Sequence, residues 1–144
     1  MTMIWKTQPT AEILSTFRSS MSKHLDINVV DVGDDWLRMS MPVNTKTTQP
    51  MGFLHGGASC VLAESVASSA AWLCIDSSKE IVLGLEINAN HVKTVREGLI
   101  YGTAKPIHLG KSTSVWDVRI TQDMNEELIC ISRVTLAVKP LRND

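Results

Sequence analysis

From Gly56 to Ile75 the chain reads Gly-Gly-Ala-Ser-Cys-Val-Leu-Ala-Glu-Ser-Val-Ala-Ser-Ser-Ala-Ala-Trp-Leu-Cys-Ile, with Glu64 as its one charge before Asp76. The apolar part, Ala58 to Ile75, is long enough to raise the question of a membrane span. Glu64 and four serines inside it make insertion unfavourable, and no basic flank orients it. The segment therefore reads as a buried helix. Because it is so rich in Ala, Ser and Gly, other backbone can approach it closely on several sides. That suits a helix wrapped by a curved sheet better than one lying on a flat surface.

Short elements surround it. Thr10 before Ala11-Glu12-Ile13-Leu14 predicts an N-cap and a short amphipathic helix to about Met21. Ile27 to Val32 predicts a strand, Gly33-Asp34-Asp35 a turn, and the alternation Leu37, Met39, Met41, Val43 a half-buried strand ending near Pro42. After the helix, Ile81, Leu83, Leu85, Ile87 and Ala89 fall on one face by period two, with Glu86, Asn88 and Asn90 opposite. Leu99 to Lys105, Ser114 to Thr121 and Glu127 to Val138 predict three more strands, with a hairpin connection at Met124-Asn125-Glu126. One long helix among five or six mostly antiparallel strands places the chain in the α+β class.

At 144 residues the chain fits one domain, 1–144, with a polar tail from about 139 and enough length for a sizeable core. Fourteen basic against fifteen acidic residues leave no basic footprint, so no nucleic-acid partner is expected. No charged n-region precedes an apolar stretch at the N-terminus, which gives a cytoplasmic expectation with no membrane partner. Cys60, Cys74 and Cys130 are odd in number and lack Cys-x-x-Cys spacing; buried reduced thiols and no metal are expected.

Chemistry concentrates where the long helix begins. A helix N-terminus opened by glycines exposes unpaired N–H groups that attract negative charge. Taken singly, each residue has an ordinary explanation. A glycine pair permits a tight turn, a histidine such as His55 is more often structural, and a glutamate usually reaches solvent. However, Glu64 has Cys60, Val61, Ala67 and Ser68 as its helical neighbours, and no basic residue lies anywhere in the helix. A solvated face would carry more than one charge. A carboxylate in apolar surroundings beside an oxyanion site points to acyl chemistry.

Gln49, the His55-Gly56-Gly57 run and Ala63-Glu64-Ser65, followed by Gly84-Leu85-Glu86-Ile87-Asn88-Ala89-Asn90-His91, resemble the hotdog-fold acyl-CoA thioesterases of the 4-hydroxybenzoyl-CoA type. The likeness is strongest to bacterial enzymes acting on 1,4-dihydroxy-2-naphthoyl-CoA in menaquinone synthesis and to relatives that clear misacylated carrier proteins. It runs from Ile4-Trp5-Lys6 to Val138. The resemblance implies one central helix wrapped by a curved sheet, an acyl-CoA substrate, no cofactor beyond the coenzyme A it carries, and homodimers that stack into tetramers. It makes Glu64 the nucleophile or the base for water, and the Gly56 N–H the donor that polarises the thioester carbonyl. Gln49 and His55 help hold that carbonyl, and Ser68 serves the hydrolytic step. It places coenzyme A near Gly84, near His91, Lys93 and Thr94, and near His108, Gly110, Lys111 and Ser112. For Lys93 or Lys111 alone, ordinary surface solvation is the stronger explanation, and Gly84 in a strand fits a ligand's close approach or equally a bulge. Met51 and Ala67 stand where close relatives have an aromatic residue and a glycine, so the acyl pocket differs in shape.

The chemistry agrees independently, since a preorganised backbone donor stabilises charge developing on the thioester oxygen and sulfur leaves without a strong general acid. Two other readings share the fold: a dehydratase or hydratase, which would use a histidine directly as base, and a non-catalytic acyl-CoA or acyl-carrier binding module. Helix geometry adds a constraint. Gly57 and Glu64 are seven residues apart, about 10 Å along the axis, while donor and carboxylate must come within about 6–7 Å to share one carbonyl. A second subunit with its helix antiparallel to the first would close that gap.

Overall fold

The computed structural model describes residues 2–122 and 126–142. In chain order the elements are α1 (Ala11–Ser15), α2 (Ser20–His24), β1 (Asn28–Val32), β2 (Leu37–Pro42), α3 (Gly56–Leu73), β3 (Glu80–His91), β4 (Leu99–Leu109), β5 (Thr113–Gln122) and β6 (Glu127–Pro140). The six strands make one antiparallel sheet in the order β1-β2-β4-β5-β6-β3. The α3 helix packs against β2 through β6. The α+β architecture is the expected one, a central helix in the grip of a sheet. Met124 and Asn125 of the expected hairpin lie outside the described residues.

Two local expectations need correction. The N-terminal helix does not run to Met21 but breaks after Ser15 and restarts at Ser20. Thr10 caps it as expected, accepting the Ile13 N–H. The break follows from two hydroxyls: Ser15 and Thr16 donate back to the carbonyls of Glu12 and Ile13, each at 2.6 Å. Such local bonds offer the backbone an alternative to continuing the helix. Phe17, in the break, packs edge-on against Trp72 of α3, with ring centroids 5.6 Å apart.

The second correction is to β3. Its pairing with β6 slips between Gly84 and Glu86, leaving Leu85 as a bulge. Before the bulge Val82 and Gly84 pair with Val138 and Leu136; after it Ile87 and Ala89 pair with Val134 and Ser132. Leu136, Val134 and Ser132 are all buried, so the face turned toward the helix switches from even to odd positions. Ile81, Leu83, Leu85, Ile87 and Ala89 therefore do not share a face. Leu83 and Leu85 are 53% and 60% exposed, whereas Ile87 and Ala89 pack on the core. A bulge adds one residue to one strand and re-aims the side chains beyond it.

The core sits between α3 and the concave side of the sheet. Leu37, Met39 and Met41 of β2, Ile100 of β4, Trp116, Val118 and Ile120 of β5, and Leu136 of β6 are buried around Leu62, Val66 and Leu73. Trp116 is fully buried, and its indole N–H donates to Ser114 Oγ at 3.0 Å, so its polar tip is satisfied. Along α3 the buried residues come as pairs, Ala58 and Ser59, Leu62 and Ala63, Val66 and Ala67, Ala70 and Ala71. Between them lies a half-buried face of Cys60, Val61, Glu64, Ser65, Ser68, Ser69 and Trp72.

Ala70 is fully buried on the packed face, and interiors at native density resist added volume. Ala70→Leu is expected to cost about 1–3 kcal/mol, read as a lower midpoint in urea denaturation. An unchanged midpoint would show that the helix face is loosely packed.

Candidate active site

At the start of α3, the N–H groups that a helix leaves orphaned are shared out unequally. His55 is the N-cap, in extended backbone (φ −69, ψ 129), and its Nδ1 accepts the Gly57 N–H at 2.8 Å. The His55 carbonyl takes the Ala58 and Ser59 N–H groups at 2.9 and 3.3 Å. Among the described residues the Gly56 N–H has no partner and stays open at the helix's positive end. Because Nδ1 accepts, the neutral His55 ring carries its proton on Nε2 and presents a donor there. A histidine used as a cap through Nδ1 cannot also take a proton at that atom, which removes the base that a dehydratase-like reading needs there.

The loop leading in is held by its own backbone. Gln49 N–H donates to the Phe53 carbonyl, Gly52 N–H to the Gln49 carbonyl, and His55 N–H to the Thr47 carbonyl. Gln49 Oε1 accepts the Met51 N–H, which leaves its amide NH2 group to donate elsewhere. Gln49, His55 and Gly56 thus set three donors along one loop-to-helix turn.

Glu64 lies eight residues beyond Gly56 on α3, about 12 Å along the axis. It is half-buried, and among the described residues no cation pairs with it. Its carboxylate rests against β3: a Cβ placed on Gly84 would stand 2.7 Å from Glu64 Oε1. Seven residues along the same strand, His91 rests against Gly56, where a Cβ would stand 2.8 Å from His91 Nε2. In a regular strand Gly84 and His91 would face opposite ways. The bulge at Leu85 turns both toward α3.

Thiols do not compete with the carboxylate. Burial, and then the Glu64 charge, push the Cys60 thiol up from its ordinary value. Burial takes Cys74 up to about 12, and burial together with Cys60 takes Cys130 up to about 11. All three stay protonated at neutral pH, whereas the thiolate is the nucleophile. Among the described residues no group of three His, Cys, Asp or Glu side chains is arranged to hold a metal ion.

Beyond Glu64 on the same helix face, Ser68 and Ser69 join Thr16, Phe17, Trp72 and Val82 around a groove of about 350 Å³. The remaining sequence-derived residues divide into two groups. Lys93 and Thr94 follow His91 at the end of β3, and Lys93 forms an ion pair with Glu127. His108, Gly110, Lys111 and Ser112 sit at the β4–β5 turn, where Gly110 and Lys111 line a cavity of about 280 Å³ with Lys6, Cys74 and Glu80. In the sheet His108 is level with Val115, Thr135 and Glu86. It is therefore about 14 Å from β3, at the opposite end from His91. One chain does not bring the two groups together.

Sequence reasoning missed Arg96. Its guanidinium lies 4.0 Å from the centroid of the Phe53 ring, and its Nη1 donates to the Met51 carbonyl at 3.4 Å. The partners stand more than forty residues upstream, so no local pattern announces them.

Residues 51–129 match the Thioesterase superfamily. The chain is 48% identical over 137 residues to the 1,4-dihydroxy-2-naphthoyl-CoA hydrolase of Escherichia coli (strain K12), covering 94% of this chain and 99% of the relative. A protein of the same name from Listeria monocytogenes is 48% identical over 122 residues, covering 85% and 98%. Among solved structures, a mutant thioesterase from Pseudomonas aeruginosa superposes with a TM-score of 0.92 at 44% identity, covering 96% of this chain and 99% of that one. The chain belongs to the thioesterase superfamily. It has the hotdog fold and is a thioester hydrolase.

Gly84 is the point at which the sheet makes room for the carboxylate. Gly84→Ala is expected to displace Glu64 and to lower kcat by roughly ten- to a hundred-fold, since small misplacements of reacting groups are costly, while the unfolding midpoint moves little. Wild-type kcat in a folded variant would show that the contact does not position the carboxylate.

Proposed function

We propose that this enzyme hydrolyses acyl-CoA thioesters carrying aromatic acyl groups, with Glu64 as the reacting carboxylate and the Gly56 N–H as the oxyanion donor. The observation that carries the proposal is the helix N-terminus. His55 occupies the Gly57, Ala58 and Ser59 N–H groups and leaves that of Gly56 for a ligand. As the thioester carbonyl becomes tetrahedral its oxygen gains charge, and a fixed donor stabilises that charge more than it stabilises the ground state. The Gln49 amide and His55 Nε2–H orient the same oxygen. The carbonyl carbon is attacked by the Glu64 carboxylate, giving an anhydride that water then opens, or by water whose proton Glu64 takes. Either way the carbon–sulfur bond breaks, the coenzyme A thiolate takes up a proton, and free acid is the other product. Ser68, one turn beyond Glu64, is the polar partner for the water step. Coenzyme A enters as part of the substrate, and the scheme needs no other cofactor.

The groove that opens at Ser68 supports the aromatic preference. Phe17 and Trp72 give it an aromatic wall, and Thr16, Ser68 and Ser69 give hydroxyls able to meet ring substituents. Two relatives named for 1,4-dihydroxy-2-naphthoyl-CoA point to the same class of acyl group, which suits a step in menaquinone synthesis.

The working unit in this scheme is a homodimer. Within one chain, Glu64 and Gly56 are about 12 Å apart along α3, too far to share one carbonyl. Two features favour a second copy. β3 is an edge strand with Leu83 and Leu85 more than half exposed, the kind of edge that pairs with another chain. The Glu64 face of α3 also has small residues and a single charge. Antiparallel pairing of two β3 edges sets the two α3 helices antiparallel and brings Gly56 of one chain to Glu64 of the partner subunit. The same axis carries the partner's His91, the partner's Lys93 and the partner's Thr94 toward the sheet end that holds His108, Gly110, Lys111 and Ser112. Coenzyme A would then lie across both chains. Stacking of two such dimers into a tetramer extends the same scheme.

Glu64→Gln keeps the shape and removes both nucleophilicity and basicity. Release of coenzyme A from benzoyl-CoA, followed with a thiol reagent, should fall by roughly a thousand-fold or more with the fold intact. More than a tenth of wild-type turnover would rule out Glu64 as the reacting group.

The shared site is tested by complementation between Glu64→Gln subunits and Gly56→Pro subunits. Proline is tolerated at the first helical position and deletes the N–H, the extended backbone of His55 already suits a following proline, and its Cβ requires only that the His91 ring, 2.8 Å away, turn aside. Subunit exchange should restore one working site per mixed dimer. Confirmed mixed dimers that stay inactive, with both parents folded, would refute the two-chain site.

A further inference from the structure

The loop from Gln49 to His55 lies against the segment that follows β3, and Arg96 is where the two are fastened. Leu54 N–H donates to the Val95 carbonyl at 2.7 Å, with Val95 itself buried. One residue on, the Arg96 guanidinium covers the Phe53 ring at 4.0 Å and donates to the Met51 carbonyl at 3.4 Å. The other side of the segment is tied to β6, with Val92 and Lys93 N–H groups donating to the Ile129 carbonyl and Lys93 paired with Glu127. Lys93 is thus already engaged, whereas Arg96 turns its charge onto the catalytic loop. Met51, whose carbonyl it holds, is the residue whose N–H binds Gln49 Oε1. A chain of contacts therefore runs from Arg96 through Phe53 and Met51 to the Gln49 amide. It ends on the loop six residues before His55, which leads into the open Gly56 N–H.

We propose that Arg96 is a positioning residue for the carbonyl-binding end of the site. It acts through Phe53 and the Met51 carbonyl to hold Gln49 and the entry to α3 in place, and it does not serve as a phosphate contact for coenzyme A. A guanidinium suits this role because its planar face stacks on an aromatic ring while its edge still donates. The surrounding loop is exposed at Met51 and Gly52, so few other contacts define it. The inference rests on the thioesterase site proposed above.

Two substrates separate the roles: benzoyl-CoA, and the benzoyl thioester of N-acetylcysteamine, which keeps the reacting carbonyl and sulfur but has no phosphate. Arg96→Ala should lower kcat by roughly ten-fold on both, by the same factor, with the benzoyl-CoA KM changed by less than about two-fold. Arg96→Lys, which keeps a cation over the ring, should recover most of that loss. Phe53→Leu should reproduce it, and adding Arg96→Ala to Phe53→Leu should cost less than about two-fold more, because coupled residues are not additive. A loss confined to benzoyl-CoA and carried by KM would make Arg96 a nucleotide contact and overturn the proposal. Unchanged turnover on both substrates, or full additivity with Phe53→Leu, would overturn it too. If Arg96→Ala does not fold, Arg96→Lys and Phe53→Leu decide by the same comparison. Glu64→Gln run in parallel keeps the two levels apart. If it is active on both substrates the underlying site is wrong, and if it is inactive while Arg96→Ala is unaffected, the positioning role alone fails.

Discussion

Where α3 rests on β3 governs the rest of the molecule. The helix touches that strand at two points, Glu64 against Gly84 and Gly56 against His91, where a Cβ on the glycine would stand 2.7 and 2.8 Å from the facing side chain. A strand of regular pleat presents only alternate residues to a helix, and positions 84 and 91 are of opposite parity. The extra residue at Leu85 resolves the conflict by switching which parity faces inward. Without the bulge, either the carboxylate or the helix N-terminus would lose its neighbour on the sheet. The irregularity is thus what lets one strand contact both Glu64 and the N-terminus of α3.

The helix itself shows how such a site coexists with a core. Its buried pairs, from Ala58 and Ser59 to Ala70 and Ala71, fit closely against five strands, and their small size permits that approach. The intervening face keeps Glu64 half-buried among cysteine, valine, serine and tryptophan. Leaving a carboxylate in such surroundings is unfavourable for a lone chain. So is leaving a long edge strand open with Leu83 and Leu85 outward. The proposed dimer pairs the open β3 edge and encloses the Glu64 face of α3. The loop before α3 depends on fewer contacts: a histidine cap, a glutamine turned onto its own backbone, and an arginine over a phenylalanine.

Much of the fold was legible because its signals are local. The small-residue run gave α3, period-two alternation gave β2 and β5, and the near absence of charge in the helix singled out Glu64. The resemblance carried by His55-Gly56-Gly57 and by residues 84–91 pointed to the thioesterase class. What sequence did not show arises from competition or from distance. Ser15 and Thr16 read as tolerable helix residues, yet their hydroxyls bind back to the preceding turn and end α1 early. The alternation through Ile81, Leu83, Leu85 and Ile87 looked regular, because a bulge leaves little trace in sequence beyond a glycine nearby. Arg96 was invisible, since a cation beside a glycine turn reads as surface until its aromatic partner, far upstream, is brought to it. Segments 91–94 and 108–112, which the resemblance assigns to coenzyme A, stand at opposite ends of the sheet, a separation that spacing along the chain does not reveal.

The two-chain site is tested most directly by a structure of the enzyme bound to a ketone analogue of benzoyl-CoA. In the analogue a methylene separates sulfur from carbonyl, so that hydrolysis cannot occur. The arrangement proposed here puts the ketone oxygen about 3 Å from the Gly56 N–H of one chain, and the carbonyl carbon about 3 Å from the Glu64 carboxylate of the partner subunit. The aryl ring should lie toward Ser68, Trp72 and Phe17. A ketone held by Gly56 and Glu64 of the same chain, or one whose oxygen meets neither Gly56 N–H, would contradict it.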